Sequence, residues 1–216
     1  MRCRRQAKAN GGMTPYCSAT GTISTREKLI AAGWRVLVVA TGRDKNYGIP
    51  YAIDNGAWHA YQNEKPFDVE AFRKVLEWST RQELKPDWVV VPDKVASPDS
   101  LEFSLKWLPE VQRYSDISLL AVQDGMKPED ISPYLGPKIG VFLGGTTEFK
   151  LRTMMSWGKL CHNRCYFHVG RVNTVKRISY CAAAGANSFD GTSVCRFPKN
   201  LPRLDKARKQ MALPLL

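Results

Sequence analysis

The chain has 216 residues, of which 44% are hydrophobic and 24% charged, a composition typical of folded globular proteins and not of disordered ones. Its 32 lysines and arginines outnumber 20 acidic residues, so the net charge is +12, and such a surface attracts polyanions, above all nucleic acid. A basic surface without a dedicated partner is the alternative. No run of 18 apolar residues is present, which argues against a membrane-spanning helix.

The start of the sequence, Met1-Arg2-Cys3-Arg4-Arg5, is basic but lacks the apolar stretch of a signal peptide. We therefore expect a cytoplasmic protein. Six cysteines are scattered along the chain and do not form a compact disulfide framework, so we expect most of them to be reduced thiols.

Short apolar runs of the kind found in buried parallel strands alternate with segments of helical periodicity. The predicted strands are 16–19, 35–40, 51–53, 87–91, 118–122, 139–143, 165–169 and 187–189. The predicted helices are 24–33, 69–82, 99–111, a short piece after Pro128, 147–157 and 174–184. In the first helix, Ser24 is placed to cap the start, with Glu27 three residues later, and Gly33 to end it.

This alternation predicts a single-domain α/β protein over residues 1–216, a compact (β/α)8 TIM-like barrel with its core at about 14–195. The basic tail, 196–216, is expected to be mobile around Lys206–Lys209. A doubly wound open sheet is the alternative architecture, because it also places polar ligand-binding residues just past its strand ends.

Polar or glycine residues follow six of the predicted strands, at the end where both architectures bind ligands. They are Asp54, Asp93, Gln123, Gly144, Arg171 and Asp190. Two of them, Asp54 and Asp190, are carboxylates close to a glycine, and a pair of carboxylates suits displacement at a sugar carbon. Asp-Asn-Gly and Asp-Gly are also common turn sequences, so a purely structural role is the alternative.

Five short motifs in a fixed order give the chain a resemblance to a known family. They are DNGAW at 54–58, VPD at 91–93, AVQDG at 121–125, FLGG at 142–145 and GANSFD at 185–190. Together they resemble the tRNA-guanine transglycosylase family, and more closely its phage-associated branch, which inserts 7-deazaguanine bases into DNA. The resemblance extends from about residue 16 to residue 192.

The resemblance implies a barrel that exchanges guanine for a free 7-deazaguanine base through a covalent sugar–aspartate intermediate. Asp190 would be the nucleophile and Asp54 the general acid and base. Asp93 and Gln123 would bind the guanine edge, and Gly144-Gly145 would bring backbone against the ring. No cofactor is implied, and neither a GxGxxG nor a P-loop motif occurs in the sequence.

Further residues are candidates for contacts with substrate. Trp58, Phe189 and His168 would lie against the base, although aromatic residues near strands more often pack in the core. A basic group would contact nucleic-acid phosphates without reading sequence, with solvated surface charge as the alternative for each member. This group is Arg171, Lys176, Arg177, Arg196 and Lys199.

The sequence departs from the family pattern after the nucleophile. The Cys-x-Cys-x-x-Cys zinc site of the tRNA enzymes is absent and no room remains for a separate RNA-binding domain, so DNA is favoured over tRNA. Cys161, Cys165 and His168, with His162, have the short spacing of zinc ligands, but strand alternation would separate Cys165 from His168, so no metal is expected. A non-catalytic nucleic-acid-binding barrel, a homodimer and dependence on a partner protein all remain open.

Overall fold

A closed barrel of parallel strands forms the centre of the computed structural model, which describes residues 12–19, 22–39 and 48–210. Within those ranges each strand pairs with the next, and β8 pairs with β1. The strands are β1 (Thr14–Ser18), β2 (Arg35–Val39), β3 (Tyr51–Asp54), β4 (Val89–Val90), β5 (Ser118–Val122), β6 (Ile139–Leu143), β7 (Phe167–Val169) and β8 (Ser188–Asp190). The predicted (β/α)8 barrel is confirmed, and the closing β1–β8 pair rules out the open sheet.

Among the described residues, a helix follows every strand except β2, whose connection to β3 includes residues 40–47 outside the described ranges. The helices are α1 (Ile23–Ala31), α2 (Ala57–Gln62), α3 (Val69–Thr80), α4 (Ser100–Val111), α5 (Pro128–Ile131), α6 (Thr147–Cys161), α7 (Val175–Ala183), α8 (Ser193–Arg196) and α9 (Leu201–Gln210). Helix α1 begins at Ile23, so Ser24 lies inside the first turn and the predicted cap is wrong. Gly33 follows the last turn with a φ of +74°, as its predicted role as a stop requires.

Some sequence predictions lie outside the described residues. These are the thiol of Cys3, Ala40 at the end of the second predicted strand, and residues 211–216 of the predicted tail.

Side chains of each strand alternate between the barrel interior and the surrounding helices. In β5, Leu119 and Ala121 belong to the interior cluster, whereas Leu120 and Val122 belong to the larger cluster between barrel and helices. Because both faces are apolar, the strand reads as a continuous hydrophobic run. The same alternation decides, for every strand, which polar side chain faces inward.

The amino-terminal end of the barrel is filled, so ligands have access from the opposite end. Trp88 and Tyr16 lie edge to face inside the barrel, with ring centroids 5.1 Å apart. The Tyr16 hydroxyl donates to Asp87, which also pairs with Arg35 at 2.7 Å. Because these side chains fill the amino-terminal end, the space inside the barrel lies towards the carboxyl ends of the strands.

Helix α2 begins within the DNGAW motif and was not expected from the sequence. Gly56 occupies its N-cap position with a φ of +80°, a left-handed conformation that glycine adopts without strain. The Asn55 side chain accepts a hydrogen bond from the Ala57 amide at 2.8 Å. A helix of six residues is too short to show a periodic apolar pattern, which is why only its turn was predicted.

Residues 201–210 of the predicted tail form helix α9, which packs against the barrel. The prediction that the chain is mobile around Lys206–Lys209 is therefore wrong. Leu201, Leu204 and Ala207 are buried at helical spacing, and α9 contacts α7. Asp205 accepts a hydrogen bond from the Trp34 indole at 3.3 Å. The apolar stripe is narrow and lies between lysines and arginines, so the charged residues dominate the sequence pattern.

No helix in the described part of the chain is long and apolar enough to cross a membrane.

Packing of α9 predicts that Leu204→Ala will destabilise the protein by about 2 to 4 kcal/mol, because a buried leucine leaves a cavity when truncated. Leu204 is 2% exposed. Urea unfolding followed by circular dichroism measures the change. The exposed Lys206 on the same helix provides the control, since Lys206→Ala is expected to shift the free energy of unfolding by less than about 0.5 kcal/mol. Equal effects of the two changes would contradict the packing of α9.

Candidate active site

A cavity of about 650 Å³ opens at the carboxyl ends of the strands. This volume is in the range of small-molecule sites. Nine residues predicted from the sequence line it: Asp54, Trp58, Asp93, Gln123, Gly144, Gly145, Arg171, Asp190 and Arg196. Unpredicted lining residues include Ser18, Asn55, His59, Gln62 and Asn173. Asn55 and His59 stand close to Asp54 in the sequence, whereas nothing in the sequence distinguishes Ser18 or Asn173 from ordinary loop polarity.

Asp190, the last residue of β8, points into the barrel and is 7% exposed. The backbone amide of Arg171 donates to both of its carboxylate oxygens, at 3.1 and 3.2 Å. The Nε2 atom of His168 lies 3.3 Å from Oδ2. These donors stabilise a carboxylate that is largely removed from water, and they leave Oδ1 with fewer partners than Oδ2.

His168 lies beneath Asp190, fully buried, and does not line the cavity. Its ring stacks on Phe142 with centroids 4.9 Å apart, and its Nδ1 lies 2.7 Å from the Ser188 hydroxyl. Burial lowers the pKa of this imidazole, which favours the neutral ring. The geometry suits a tautomer in which Nδ1 accepts from Ser188 and Nε2–H donates to Asp190. The predicted contact between His168 and a base is therefore wrong, because His168 contacts the carboxylate instead.

Asp54 ends β3 and lines the same cavity. One of its oxygens accepts the Gly56 amide at 2.9 Å, so Asp54 closes a turn and also faces the site. Burial raises the pKa of this carboxyl to about 6, and the negative charges of Asp190 and Asp93 act in the same direction. The turn role and the site role, which were alternatives in the sequence, are compatible.

Asp93 is oriented by Asn55, a residue that the sequence prediction did not single out. The Asn55 amide donates to the Asp93 carboxylate and to the Val91 carbonyl, both at 2.8 Å. Burial raises the pKa of Asp93 to about 6, and the hydrogen bond from Asn55 opposes that rise. Asp93 is 7% exposed and lines the cavity.

Gln123 borders the cavity, but its amide is committed to the protein. Its nitrogen donates to the Lys94 carbonyl and to the Ser100 hydroxyl, and its oxygen accepts the Ala96 amide at 2.8 Å. The side chain thus holds the loop between β4 and α4 in place. Both amide hydrogens are used, so the predicted donation from Gln123 to a guanine edge is not available in this arrangement.

Gly144 and Gly145 form the turn after β6 and border the cavity. Gly145 has a φ of +71°, and a Cβ atom there would approach an oxygen of Asp124 to 2.5 Å. Asp124 accepts hydrogen bonds from the backbone and hydroxyl of Thr146, both at 2.6 Å, which fixes the start of α6. The turn needs glycine at 145 for reasons of backbone conformation and space.

Arg171 connects three parts of the cavity rim. Its guanidinium lies 3.9 Å from the centre of the Trp58 ring and donates to the Gly145 carbonyl. Its φ of +59° is unusual for a residue with a side chain, and it directs the backbone amide towards Asp190. The cation occupies a face of Trp58, so that face is not free to stack on a base.

Phe189 does not reach the cavity, and the prediction that it contacts a base is wrong. It is fully buried and meets the Trp34 ring edge to face at 5.9 Å, in the layer between barrel and helices. Neighbouring residues of a strand point to opposite faces. Because Asp190 points inward, Phe189 must point outward.

The basic residues proposed for phosphates differ in position. Arg196 is exposed and lines the cavity with Arg171, whereas Lys176, Arg177 and Lys199 do not line it. Burial lowers the pKa of Arg171, and the positive charge of Arg177 contributes in the same direction. Lys176 and Lys199 are exposed, which leaves both a phosphate role and a solvated role open.

The candidate zinc ligands are not gathered together. Cys161 and Cys165 pack in the cluster outside the barrel, while His168 lies inside it. Among the described residues, no group of three or more histidine, cysteine, aspartate or glutamate side chains is placed to hold a metal ion.

No protein-family model matches this chain, and no curated protein matches it significantly.

The raised pKa of Asp93 predicts how the variant Asp93→Asn changes stability with pH. A carboxyl whose folded pKa is about 6 disfavours ionisation in the folded state, so its stabilising contribution is complete below about pH 4 and is lost as the pH rises through 6. The free energy of unfolding of Asp93→Asn, relative to wild type, should therefore rise by about 2 to 3 kcal/mol between pH 4 and pH 7.5. Urea titrations at each pH measure it. A relative stability that is constant, or that falls with pH, would contradict this environment for Asp93.

Proposed function

We propose that this protein is a DNA-guanine transglycosylase that exchanges guanine for a 7-deazaguanine base. The observation that carries the proposal is that Asp54 and Asp190 line one cavity at the carboxyl end of the barrel. These are the two carboxylates for which the motif resemblance implies proton transfer and nucleophilic attack. Barrel enzymes place their reacting groups at this end, and two carboxylates suit substitution at an anomeric carbon.

The reaction consists of two displacements at the same sugar carbon. An oxygen of Asp190 forms a bond to C1′ while the C1′–N9 bond breaks, and the bonding electrons leave with guanine, which receives a proton from Asp54. The incoming 7-deazaguanine then gives its ring N–H proton to Asp54 and attacks C1′, and the bond to Asp190 breaks. Two inversions restore the original configuration, and the exchange needs neither ATP nor a redox cofactor.

The different environments of the two carboxylates support this division of roles. Asp190 accepts hydrogen bonds from a backbone amide and from a buried imidazole, which fix the orientation of the nucleophile. The pKa of Asp54 is about 6, close to the range in which one group both donates and accepts a proton near neutrality. Enzymes that use two carboxyl groups in different roles commonly place them in different surroundings within one active site.

Recognition of the base would use Asp93 and the backbone of the Gly144-Gly145 turn. Asp93 offers carboxylate oxygens for base N–H groups, held in position by Asn55. A buried polar partner of this kind penalises bases that lack the matching hydrogens. The amide of Gln123 would act indirectly, by holding the loop that follows Asp93.

DNA is proposed as the substrate from the charge of the chain and from the motif resemblance, which is closer to the branch that acts on DNA. The net charge of +12 and the arginines at the cavity, Arg171 and Arg196, suit a polyanion. The anomeric carbon of a stacked nucleotide is shielded, so the target would be flipped out of the duplex or taken from a single strand.

The first test is base exchange with DNA and tRNA that carry labelled guanine, offered with a 7-deazaguanine base. We expect label to be released from DNA, and Asp190→Asn to reduce the rate by at least about 10³-fold because the nucleophile is lost. Asp116→Asn is the matched control, since Asp116 is an exposed aspartate just before β5, at the opposite end of the barrel, and should retain the wild-type rate.

Other outcomes of this assay identify the alternatives. Release from tRNA alone would change the substrate but keep the mechanism. Nucleic-acid binding without release, unchanged by Asp190→Asn, would indicate a non-catalytic binding barrel or an enzyme that requires a partner protein. Release that persists in Asp190→Asn would contradict the assignment of the nucleophile.

The proposed role of Asp54 predicts a pH dependence of guanine release. A general acid must be protonated in the free enzyme, so kcat/KM for DNA should decrease as the pH rises through about 6. Asp54→Asn should lower kcat/KM by about 10² to 10⁴-fold and remove this decrease. Asp93 also titrates near pH 6, so Asp93→Asn is the companion variant, and it should keep the decrease. If Asp93→Asn removed the decrease and Asp54→Asn kept it, the acid would be Asp93.

A further inference from the structure

A buried lysine lies behind the peptide that binds Asp190. Lys150 belongs to α6, is 4% exposed, and donates from Nζ to the Gly170 carbonyl at 2.5 Å. That carbonyl belongs to the peptide unit whose N–H, on Arg171, donates to both oxygens of Asp190. A single rigid peptide plane therefore connects the ammonium group to the carboxylate.

This position is unfavourable for a lysine in several independent ways. Burial, with the positive charges of Arg171 and Arg177 acting in the same direction, lowers the pKa of Lys150 to about 8. Lys150 also lies in the first turn of α6, where the helix dipole disfavours a cation. The other buried side chains of this helix are apolar except for Cys161, so simple packing of α6 does not require a charge here.

Two favourable interactions of the ammonium point towards the nucleophile. The negative charge of Asp190 stabilises the protonated lysine, and the Gly170 carbonyl accepts its hydrogen bond. A cation at the Gly170 carbonyl polarises the peptide unit. This strengthens the hydrogen bond that the Arg171 N–H donates to Asp190, because hydrogen bonds in a chain reinforce each other. It also restrains Arg171 in its left-handed conformation, with a φ of +59°.

We infer that Lys150 is a positioning residue for the nucleophile, which it orients through the Gly170–Arg171 peptide without touching the substrate. This inference rests on the proposed function for its kinetic consequence, because the rate of adduct formation depends on how Asp190 is held. The orientation of the peptide itself is a property of the protein alone and can be measured without a substrate.

The test compares three variants of the full chain. Lys150→Met keeps the aliphatic length but removes the donor and the charge, and Lys150→Arg restores both. Lys159→Met makes the same change at an exposed lysine of the same helix. Amide hydrogen exchange by NMR measures the Arg171 N–H, with the Val141 amide, bonded to Tyr166 in the barrel, as the internal reference.

In Lys150→Met, we expect Arg171 to exchange at least about tenfold faster relative to Val141, because its hydrogen bond to Asp190 is weakened. Lys150→Arg should restore part of the protection, and Lys159→Met should match wild type. In single-turnover reactions with DNA, Lys150→Met should slow adduct formation about tenfold or more with little change in DNA affinity, because Lys150 does not line the cavity.

The two readouts separate failure of this inference from failure of the proposed function. Unchanged Arg171 exchange in Lys150→Met would overturn the inference, whatever the activity. Faster Arg171 exchange in a protein whose wild type shows no base exchange would support the positioning of Asp190 by Lys150 and would contradict a transglycosylase that acts without a partner protein. Equal acceleration of Arg171 and Val141 would mean that Lys150 only stabilises the fold, and would also overturn the inference.

Discussion

Removal of the Asp190 carboxylate from water is the constraint on which the rest of the site depends. A carboxylate that is 7% exposed is costly unless donors reach it, and two do so here, the Arg171 amide and the His168 ring. Each donor is supported in turn, by the Lys150 ammonium and by the Ser188 hydroxyl. The left-handed backbone of Arg171 and the full burial of His168 follow from this need.

The barrel satisfies that constraint through the period of its strands. Asp190 and Ser188 point inward from β8 and His168 points inward from β7, next to it in the barrel, so the three side chains meet. The same geometry directs Phe189 towards the helices. The amino-terminal end of the barrel is filled by Trp88, Tyr16 and the Arg35–Asp87 pair. Among the described residues, the space that remains inside the barrel is the cavity at the carboxyl end of the strands.

Opposite charges are distributed around this cavity in a way that suits an anionic substrate and a neutral base. Burial raises the pKa of Asp54 and of Asp93 to about 6, because it disfavours the charged carboxylates. The protonation state of these two carboxyl groups therefore changes close to neutral pH. Arg171 and Arg196 supply permanent positive charge at the rim. Arg171 combines two functions, because its backbone holds Asp190 while its guanidinium bridges Trp58 and Gly145.

The amino-acid sequence alone predicted the barrel, with an open sheet as the alternative, and the carboxylates of its cavity, because apolar runs and the residues that follow them are local properties. It did not reveal α9, where lysines and arginines flank a narrow apolar stripe, or the distinction between Phe189 and Asp190, since strand register sets the inward face. Three roles became visible in the folded structure alone: Gln123 holds a loop, His168 supports a carboxylate and Lys150 lies behind a peptide. Each of those roles depends on partners distant in the chain, and such contacts leave no periodic trace in the sequence.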